Sequence, residues 1–527
     1  MLELLKEYFG EIALLIYILY PLLKRAWNRL NKKGDPAPKP KKAARKTRGA
    51  KQARPAPRPP QPVAAVAKRS PEAAFLEAAR SELLGLKQEA NQLLARAEHD
   101  PRLQRLVPAL QEDLLGRVAV IERSLSGAPT MSTIVDDRTV LRGLAALLRH
   151  LQAMARQRGY GDSSFHADAD KMADACYAPL LELARVQGLR LSTSQPITVT
   201  GDWDLSIVPR FASTRVAPLR LPVGFENSLW RWPAIAHEVA HDFYYSLEGL
   251  ETSLHQRTGL PREVQMPASS ADVDGAWLRG LFGAWLSEIF ADVIGTVSLG
   301  PAYVESMRRT FRNPGSPQQT AAIMQDGDLM DEHPPPRLRL FMATRVLHHL
   351  GRHEEANDLW ERWESDHPGV SLYYLPLGGQ WVGLADETLH SIADSAIDVL
   401  AQRAWPELEG FRLLNIPGFA YLHGEHAEVQ RLMHGLARGE TVNGDVRWIM
   451  AAAVLAAMAQ PSLHDSILEA ARRSIVGVGE ERRAVSTATR PLPSRTIAED
   501  LVASLRQPGE IQEAIILGAA LTPYKRP

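Results

Sequence analysis

Cysteine, net charge and apolar runs of membrane-spanning length are all scarce in this sequence. Cys176 is the one cysteine among 527 residues, which excludes an internal disulfide and fits a reducing compartment. Lys and Arg together number 61, as do Asp and Glu, so the chain as a whole is neither a polycation nor a polyanion. Apolar residues make up 45% of the chain, which excludes a largely disordered protein.

The candidate membrane segment lies at the N-terminus and is short. Its uncharged part is Ile12–Leu23, and Tyr8–Leu23 would span about 24 Å as a helix, less than a bilayer core. Residues 1–69 carry 17 basic and 4 acidic side chains, so a basic segment precedes an acidic body. We predict a single-pass anchor helix over residues 1–27 in the inner (cytoplasmic) membrane, with the body on the cytoplasmic side. A helix lying in the membrane plane is the alternative.

Residues 28–70 are rich in Lys, Arg, Pro and Ala, with few large apolar side chains. Such a segment cannot bury a core, and we predict a disordered, basic, proline-rich linker. Its charge favours anionic lipid headgroups next to the anchor. Nucleic acid is the less favoured partner, because the segment has no aromatic residues for base stacking.

The strongest motif is His237-Glu-Val-Ala-His241. Two histidines four positions apart project from one face of a helix and can share one metal ion. Glu238 is then placed to take a proton from a water molecule that the metal activates. Pro233 suits the first turn of such a helix. The alternative is a helix with two structural histidines, and a third ligand is needed to decide between them.

That third ligand is predicted on the apolar segment Trp277–Gly295, which reads as one helix. Glu288 and Asp292 lie four positions apart within it, and carboxylates enter a buried helix only where a cation meets them. Zinc is the natural partner of Glu288, and Asp292 could accept the second N–H of a ligating histidine. A solvated acidic pair on a surface helix is the alternative. Small residues would let this helix approach the histidine helix closely: Ala284, Ala291 and Gly295.

A third segment, Asp331–Leu340, combines a histidine with two arginines. His333 precedes three prolines, and Arg337 and Arg339 open an apolar helix. The alternative is a loop that leads into a helix and has no chemical role.

Taken together, the three segments resemble the gluzincin metallopeptidases of the HtpX and CAAX-prenyl endopeptidase type. The likeness covers about residues 220–345 and lies in three motifs: His237-Glu-Val-Ala-His241, Glu288-Ile-Phe-Ala-Asp292 and His333-Pro-Pro. Those relatives carry several membrane helices near the catalytic core, whereas this chain has at most one, at its N-terminus.

The resemblance implies a role for each motif residue. Glu238 would be the catalytic base. Asp292 would pair with Arg339 behind the metal ligands, and His333 would face the substrate or the transition state. Zn²⁺ would be bound by three side chains: His237, His241 and Glu288.

Outside the motifs, the sequence predicts a mainly α protein with a small β element. Leucines recur at helical spacing between residues 71 and 187. Three strand-like stretches precede the motif helix, and the last, Val216–Phe225, is expected as an edge strand that could hold a peptide substrate. Residues 250–275 read as a loop or lid, and residues 375–527 as mostly helical.

We therefore divide the chain into five parts, with a zincin-like core between helical domains. The N-terminal anchor covers 1–27 and the linker 28–70. The folded parts are a helical domain, the zincin-like metallopeptidase domain and a C-terminal helical domain, over residues 71–190, 191–350 and 351–527.

Three further groups of histidines look less chemical. His166, Asp168, Asp170 and Asp174 have the residue types of a metal site, but a polar loop leading into a helix is the favoured interpretation. Two more groups lack zinc-ligand spacing and are interpreted as structural: His348, His349 and His353, and His423 with His426.

These patterns predict a membrane-tethered zinc endopeptidase that cleaves protein or peptide substrates. Tyr244 and Tyr245 are reserve donors to the transition state, after His333. The alternative is a catalytically inactive, membrane-anchored scaffold or regulatory protein with a relic metal site.

Overall fold

The computed structural model describes residues 70–159, 164–189, 196–201, 206–207, 217–326 and 329–485. These residues are mainly helical with a small strand component, as predicted. The predicted anchor, and the predicted linker except for its last residue, lie outside them. The described residues form two compact units: the first holds residues 70–89 and Gly116–His150, and the second holds Ala90–Leu115 and the described residues from Leu151 to Val485. The predicted boundaries after residues 190 and 350 both fall within the second unit.

Leucine rows build the first unit, as their helical spacing predicts. Leu83, Leu86, Leu141 and Leu144 are at most 8% exposed, so the rows face its core. Ser70 begins the first helix, and its hydroxyl accepts the N–H of Ala73 at 3.2 Å. Its helices, two of which continue into the second unit, are α1 (Pro71–His99), α2 (Arg117–Ser126) and α3 (Met131–Gly159), and a π-helical stretch, Ala109–Gly116, precedes α2.

After most of the π-helical stretch and the ends of α1 and α3, the second unit continues with α4 (Ser164–Gln187) and a three-stranded sheet. The strands are β1 (Ile197–Thr200), β2 (Ser206–Ile207) and β3 (Pro218–Leu221). β3 lies in the middle, parallel to β1 and antiparallel to β2. The prediction of an edge strand over 216–225 is therefore wrong, because β3 is hydrogen-bonded to a neighbouring strand on each side.

The motif helix, α5 (Ala234–Ser246), follows the sheet, with Pro233 just before its first residue as expected. The predicted loop over residues 250–275 is partly wrong, because its first third forms α6 (Leu250–Thr258). Gly249 and Gly259 flank α6 with φ of 80° and 64°, left-handed values that glycine adopts without strain. The apolar side chains Leu250 and Leu254 are fully buried and hold α6 to the core.

The segment predicted as one helix over Trp277–Gly295 is two helices: α7 (Gly275–Ala284) and α8 (Leu286–Leu299), bent by 63° at Trp285. The backbone of Pro261 passes α7 so closely that a Cβ at Gly283 would lie 1.7 Å from the Pro261 carbonyl oxygen. The indole N–H of Trp285 donates to the Asp331 carbonyl at 2.9 Å, which fixes the break. Glu288 therefore lies in the first turn of a new helix.

Seven more helices complete the described chain: α9 (Pro301–Phe311), α10 (Pro336–His349), α11 (His353–Asp366), α12 (Asp386–Gln402), α13 (His423–Ala437), α14 (Val446–Ala459) and α15 (His464–Val485). Two antiparallel hairpins interrupt them: β4 (Gln325–Asp326) with β5 (Leu329–Met330), and β6 (Leu372–Leu377) with β7 (Gln380–Ala385). The described chain after residue 375 is mostly helical, as predicted, and the second hairpin is an exception at its start. Its turn is Gly378-Gly379, both with positive φ.

One hydrophobic core runs through the second unit from Ala169 on α4 to Ile475 on α15. Within it, α8 packs along α5 and α10, which brings the three motif segments together. Among the described residues no single helix is both long and apolar enough to cross a membrane, although α7 and α8 would pass that test if they were not bent.

Candidate metal centre

Helix α5 supplies two imidazoles on one buried face. His237 and His241 are one turn apart, with ring centroids at 4.6 Å in an edge-on arrangement. Their Nε2 atoms lie 3.1 Å from each other. Ile235, Val239 and Phe243 are at most 1% exposed and pack the opposite side of the helix into the core.

Glu288 on α8 meets both of these nitrogens. One carboxylate oxygen, Oε1, lies 3.1 Å from Nε2 of His241, and the other, Oε2, lies 3.3 Å from Nε2 of His237. The three ligand atoms thus converge, and this is the one such group of three or more His, Cys, Asp or Glu side chains in the described part of the chain. The sequence prediction of His237, His241 and Glu288 as neighbours is confirmed.

The donor set fits a divalent metal. Ligand atoms about 2.0–2.2 Å from a tetrahedral zinc ion are about 3.3–3.6 Å from each other, close to the 3.1–3.3 Å separations here. Oε2 of Glu288 is buried and accepts no hydrogen bond from the described residues. Two histidines and one carboxylate form a ligand set that catalytic zinc sites use.

Asp292 and Arg339 lie behind His237. Oδ1 of Asp292 is 3.0 Å from Nδ1 of His237, so the carboxylate accepts the second ring N–H, as predicted. Arg339 on α10 grips the same carboxylate with two hydrogen bonds, Nε to Oδ2 at 2.7 Å and Nη2 to Oδ1 at 2.8 Å. The predicted pairing of Asp292 with Arg339 is present.

Sequence reasoning missed Tyr303, in the first turn of α9. Its hydroxyl donates to Oδ1 of Asp292 at 2.8 Å and lies 3.3 Å from Nδ1 of His237. The signal that could have revealed it is Gly295, one of the small residues of α8. A Cβ at this glycine would lie 2.5 Å from the Tyr303 ring.

The buried charges shift each other's pKa values strongly. Burial alone would lower the pKa of His237, but Asp292 and Glu288 beside its two ring nitrogens raise it to about 10. Burial would raise the pKa of Asp292, but Arg339 and His237 hold it at about 2. Glu288 follows the same pattern, since His237 keeps its pKa well below the usual range in spite of burial. Both carboxylates therefore stay ionised at neutral pH.

Glu238 and His333 occupy different surroundings. Glu238 is 8% exposed and adjoins His237 on the buried part of α5. The His333 side chain is 55% exposed, with Nε2 at 3.6 Å from Oε1 of Glu288. Asp331 orients the imidazole, because its Oδ1 lies 2.9 Å from both the backbone N and Nδ1 of His333. The imidazole thus lies at the solvent side of the ligand group.

The two reserve donors, Tyr244 and Tyr245, differ. The Tyr244 ring is 2% exposed and packs on Phe290 in the core, so it is not a donor at this site. Tyr245 is 47% exposed. Partial burial raises the pKa of its hydroxyl, and a hydrogen bond with Ser287 offsets part of this rise. The tyrosine that does reach the ligand group is Tyr303.

In the described residues the other histidine groups form no metal-ligand arrangement. Nδ1 of His348 lies 2.9 Å from Nδ1 of His353, which fastens the turn between α10 and α11. His349 contacts Gln402, and His426 contacts Tyr421.

Comparisons of the chain with protein-family models, with curated proteins and with solved structures gave no match. The geometry and chemistry of the site are therefore the ground for a functional conclusion.

Proposed function

We propose that the chain is a zinc-dependent endopeptidase of the gluzincin kind, with a zincin-like core, acting on protein or peptide substrates. The observation that carries the proposal is the convergence of two Nε2 atoms and one carboxylate, from helices more than forty residues apart in sequence. His237, His241 and Glu288 would hold the ion. Three protein ligands are typical of catalytic zinc sites, whereas structural sites have four.

A bound zinc ion would supply a Lewis acid that acidifies water and polarises a peptide carbonyl. The chain's own residues would do the rest. The Glu238 carboxylate accepts the proton of the attacking water and passes it to the nitrogen of the leaving amine. The Asp292 carboxylate holds the N–H at Nδ1 of His237, which keeps Nε2 as the ligand atom.

His333 is the candidate for binding the developing oxyanion. Its half-exposed imidazole lies at the solvent side of the ligand group, where a substrate carbonyl would arrive. Asp331 holds its orientation through Nδ1. A protonated Nε2 could donate to the oxyanion, which is the kind of contact that stabilises an acyl-transfer transition state.

The proposal includes the N-terminal segments. The anchor over residues 1–27 would tether the enzyme to the inner membrane with its body in the cytoplasm, and the linker over 28–70 would contact anionic lipids. Both rest on sequence alone, since they lie outside the described residues.

Two substitutions test the enzymatic proposal. Purified Glu238→Gln is expected to keep one zinc per chain and to lose cleavage of an unfolded protein such as β-casein by about a thousandfold or more. His237→Ala is expected to lose both zinc and cleavage. Glu251→Gln is the matched control, since Glu251 is an exposed acid in the first turn of α6.

Zinc content by atomic spectrometry and cleavage rates by gel or fluorescence decide the outcome. Full peptidase activity in Glu238→Gln would overturn the assignment of the base. A wild-type chain that binds zinc but cleaves nothing would favour the alternative, a membrane-anchored scaffold with a relic metal site. A chain that binds no zinc when it is supplied would remove both.

A further inference from the structure

Tyr303 joins the metal ligands to a third helix. The residue is 4% exposed, and its hydroxyl donates to Oδ1 of Asp292 at 2.8 Å. The same oxygen faces Nδ1 of His237 at 3.0 Å. The tyrosine therefore contacts the carboxylate at the one oxygen that accepts from the candidate ligand.

Gly295 makes this contact possible. The Tyr303 ring packs against α8 at Gly295, where an added Cβ would be 2.5–2.8 Å from three ring carbons. Real Cβ atoms do not approach carbon this closely, so any larger residue would push the ring away. Because Gly295 is three positions after Asp292, a ring seated on it has its hydroxyl beside that carboxylate.

The donors around Asp292 explain what the tyrosine adds. Arg339 binds both carboxylate oxygens, so it fixes the plane of the group. Nη2 of Arg339 is also 3.4 Å from Nδ1 of His237, so this nitrogen has two competing donors nearby and one acceptor. The hydroxyl bond to Oδ1 holds that acceptor in line with the ring N–H of His237.

We infer that Tyr303, seated on Gly295, is a positioning residue for the metal site. It keeps Oδ1 of Asp292 on the N–H at Nδ1 of His237, so that Nε2 faces the metal as the ligand atom. The inference rests on the metal site of the proposed function, but not on its peptidase activity. Tyr303 touches neither the ligand atoms nor a substrate, so it acts through Asp292.

The test compares two buried tyrosines. Tyr303→Phe is expected to weaken zinc binding by about 10-fold or more, measured by competition with a chelator, because loss of such an outer contact typically costs 10–100-fold in affinity. Tyr373→Phe is the matched control. Tyr373 is also fully buried, and its hydroxyl lies 3.0 Å from Nε2 of His390, away from the metal ligands.

Stability of the metal-free proteins separates positioning from structure. Each variant loses one tyrosine hydrogen bond, buried for Tyr303 and partly buried for Tyr373, so both are expected to unfold at similar denaturant concentrations in the presence of a chelator. In the control, zinc affinity is expected to stay within twofold of the wild-type value. A second variant, Gly295→Ala, keeps the hydroxyl but displaces the ring, and is expected to weaken zinc binding at least as much as Tyr303→Phe.

Zinc affinity within twofold of wild type in both Tyr303→Phe and Gly295→Ala would overturn the inference. An equal loss of affinity in Tyr303→Phe and in the Tyr373→Phe control would also overturn it, since the effect would then be one of general stability. Failure of the wild-type chain to bind zinc would instead refute the proposed function.

Discussion

Two clusters of histidine and acids in the described part of the chain have the residue types of a metal site, and only one of them has the geometry of one. The first is the candidate metal centre: His237, His241 and Glu288. The second is the α4 acidic cluster: His166, Asp168, Asp170 and Asp174. Both are largely buried and both have suitable residue types, so composition does not separate them.

The two clusters differ in the cationic groups that pair with their acids, and in the α4 acidic cluster these groups are arginines. Asp170 accepts from Arg158 at 2.7 Å and lies 3.2 Å from Arg105, and Thr198 donates its N–H and hydroxyl to the other oxygen. Arg105 also binds Asp174 with two hydrogen bonds. Guanidinium groups have no lone pair for a metal and already neutralise these carboxylates.

In the candidate metal centre, by contrast, Glu288 meets imidazole nitrogens, which can lose a proton and ligate. Arginine is present there too, but Arg339 is hydrogen-bonded to Asp292, which lies behind His237 and is not one of the three candidate ligands. A metal site therefore brings nitrogen and oxygen lone pairs together at one point. In a structural site, each carboxylate is instead paired with a fixed cation.

The prediction with the largest expected effect concerns zinc affinity, and it tests whether the two clusters differ as described. We expect His241→Gln to weaken zinc binding by at least about a thousandfold, because it removes one of three protein ligands. His166→Gln, the matched substitution in the α4 acidic cluster, is expected to leave zinc affinity within twofold. Isothermal titration with zinc measures both, and a second zinc equivalent lost in His166→Gln would contradict the assignment of the α4 cluster as structural.

The candidate metal centre was predictable because most of its signal is local. His237 and His241 are one turn apart, and a helix is enough to bring them together. Glu288 and Asp292 stood out because buried acids need a cation. Tyr303 gave no such signal, since a tyrosine in a helix of mixed apolar and charged residues is ordinary, and only the contact of its ring with Gly295 reveals it.

The parts that the sequence did not reveal depend on long-range contacts. The break at Trp285 depends on Pro261 passing over Gly283 and on a hydrogen bond to Asp331. The central position of β3 depends on which strands lie beside it, which a strand-like pattern does not encode. The β6–β7 hairpin is different, because Gly378-Gly379 between β-forming residues is a local signal that the sequence itself carries.

A second prediction concerns folding stability. Asp170→Ala would leave Arg158 buried without its carboxylate partner, and we expect a loss of about 3–5 kcal/mol in the free energy of unfolding. Asp394→Ala removes the half-exposed partner of Arg345 and is expected to cost less than about 1 kcal/mol. Denaturant unfolding measures both. Zinc affinity should not change in either variant. If Asp170→Ala lost zinc binding but not stability, the α4 acidic cluster would be the metal site and the candidate metal centre would be structural.

The smallest effect is a pH dependence in the α4 acidic cluster. Burial, and then the charge of Arg158, lower the pKa of His166 from about 6.5 to about 4. The unfolded chain therefore binds a proton at this residue between pH 6.5 and pH 4 that the folded chain does not. Stability from the neutral imidazole is complete above pH 6.5 and falls with pH across that window, by about 3 kcal/mol in total.

His166→Gln removes this titration while keeping a polar side chain beside Thr200. The difference in unfolding free energy between wild type and variant should therefore shift toward the variant by about 3 kcal/mol as the pH falls from 7 to 4. Urea unfolding at several pH values with chelator present measures the shift and removes any contribution from zinc. A constant difference across this range would mean that His166 takes up a proton in the folded chain as it does in the unfolded chain. The α4 acidic cluster would then hold a protonated histidine, which we expect only of the candidate metal centre.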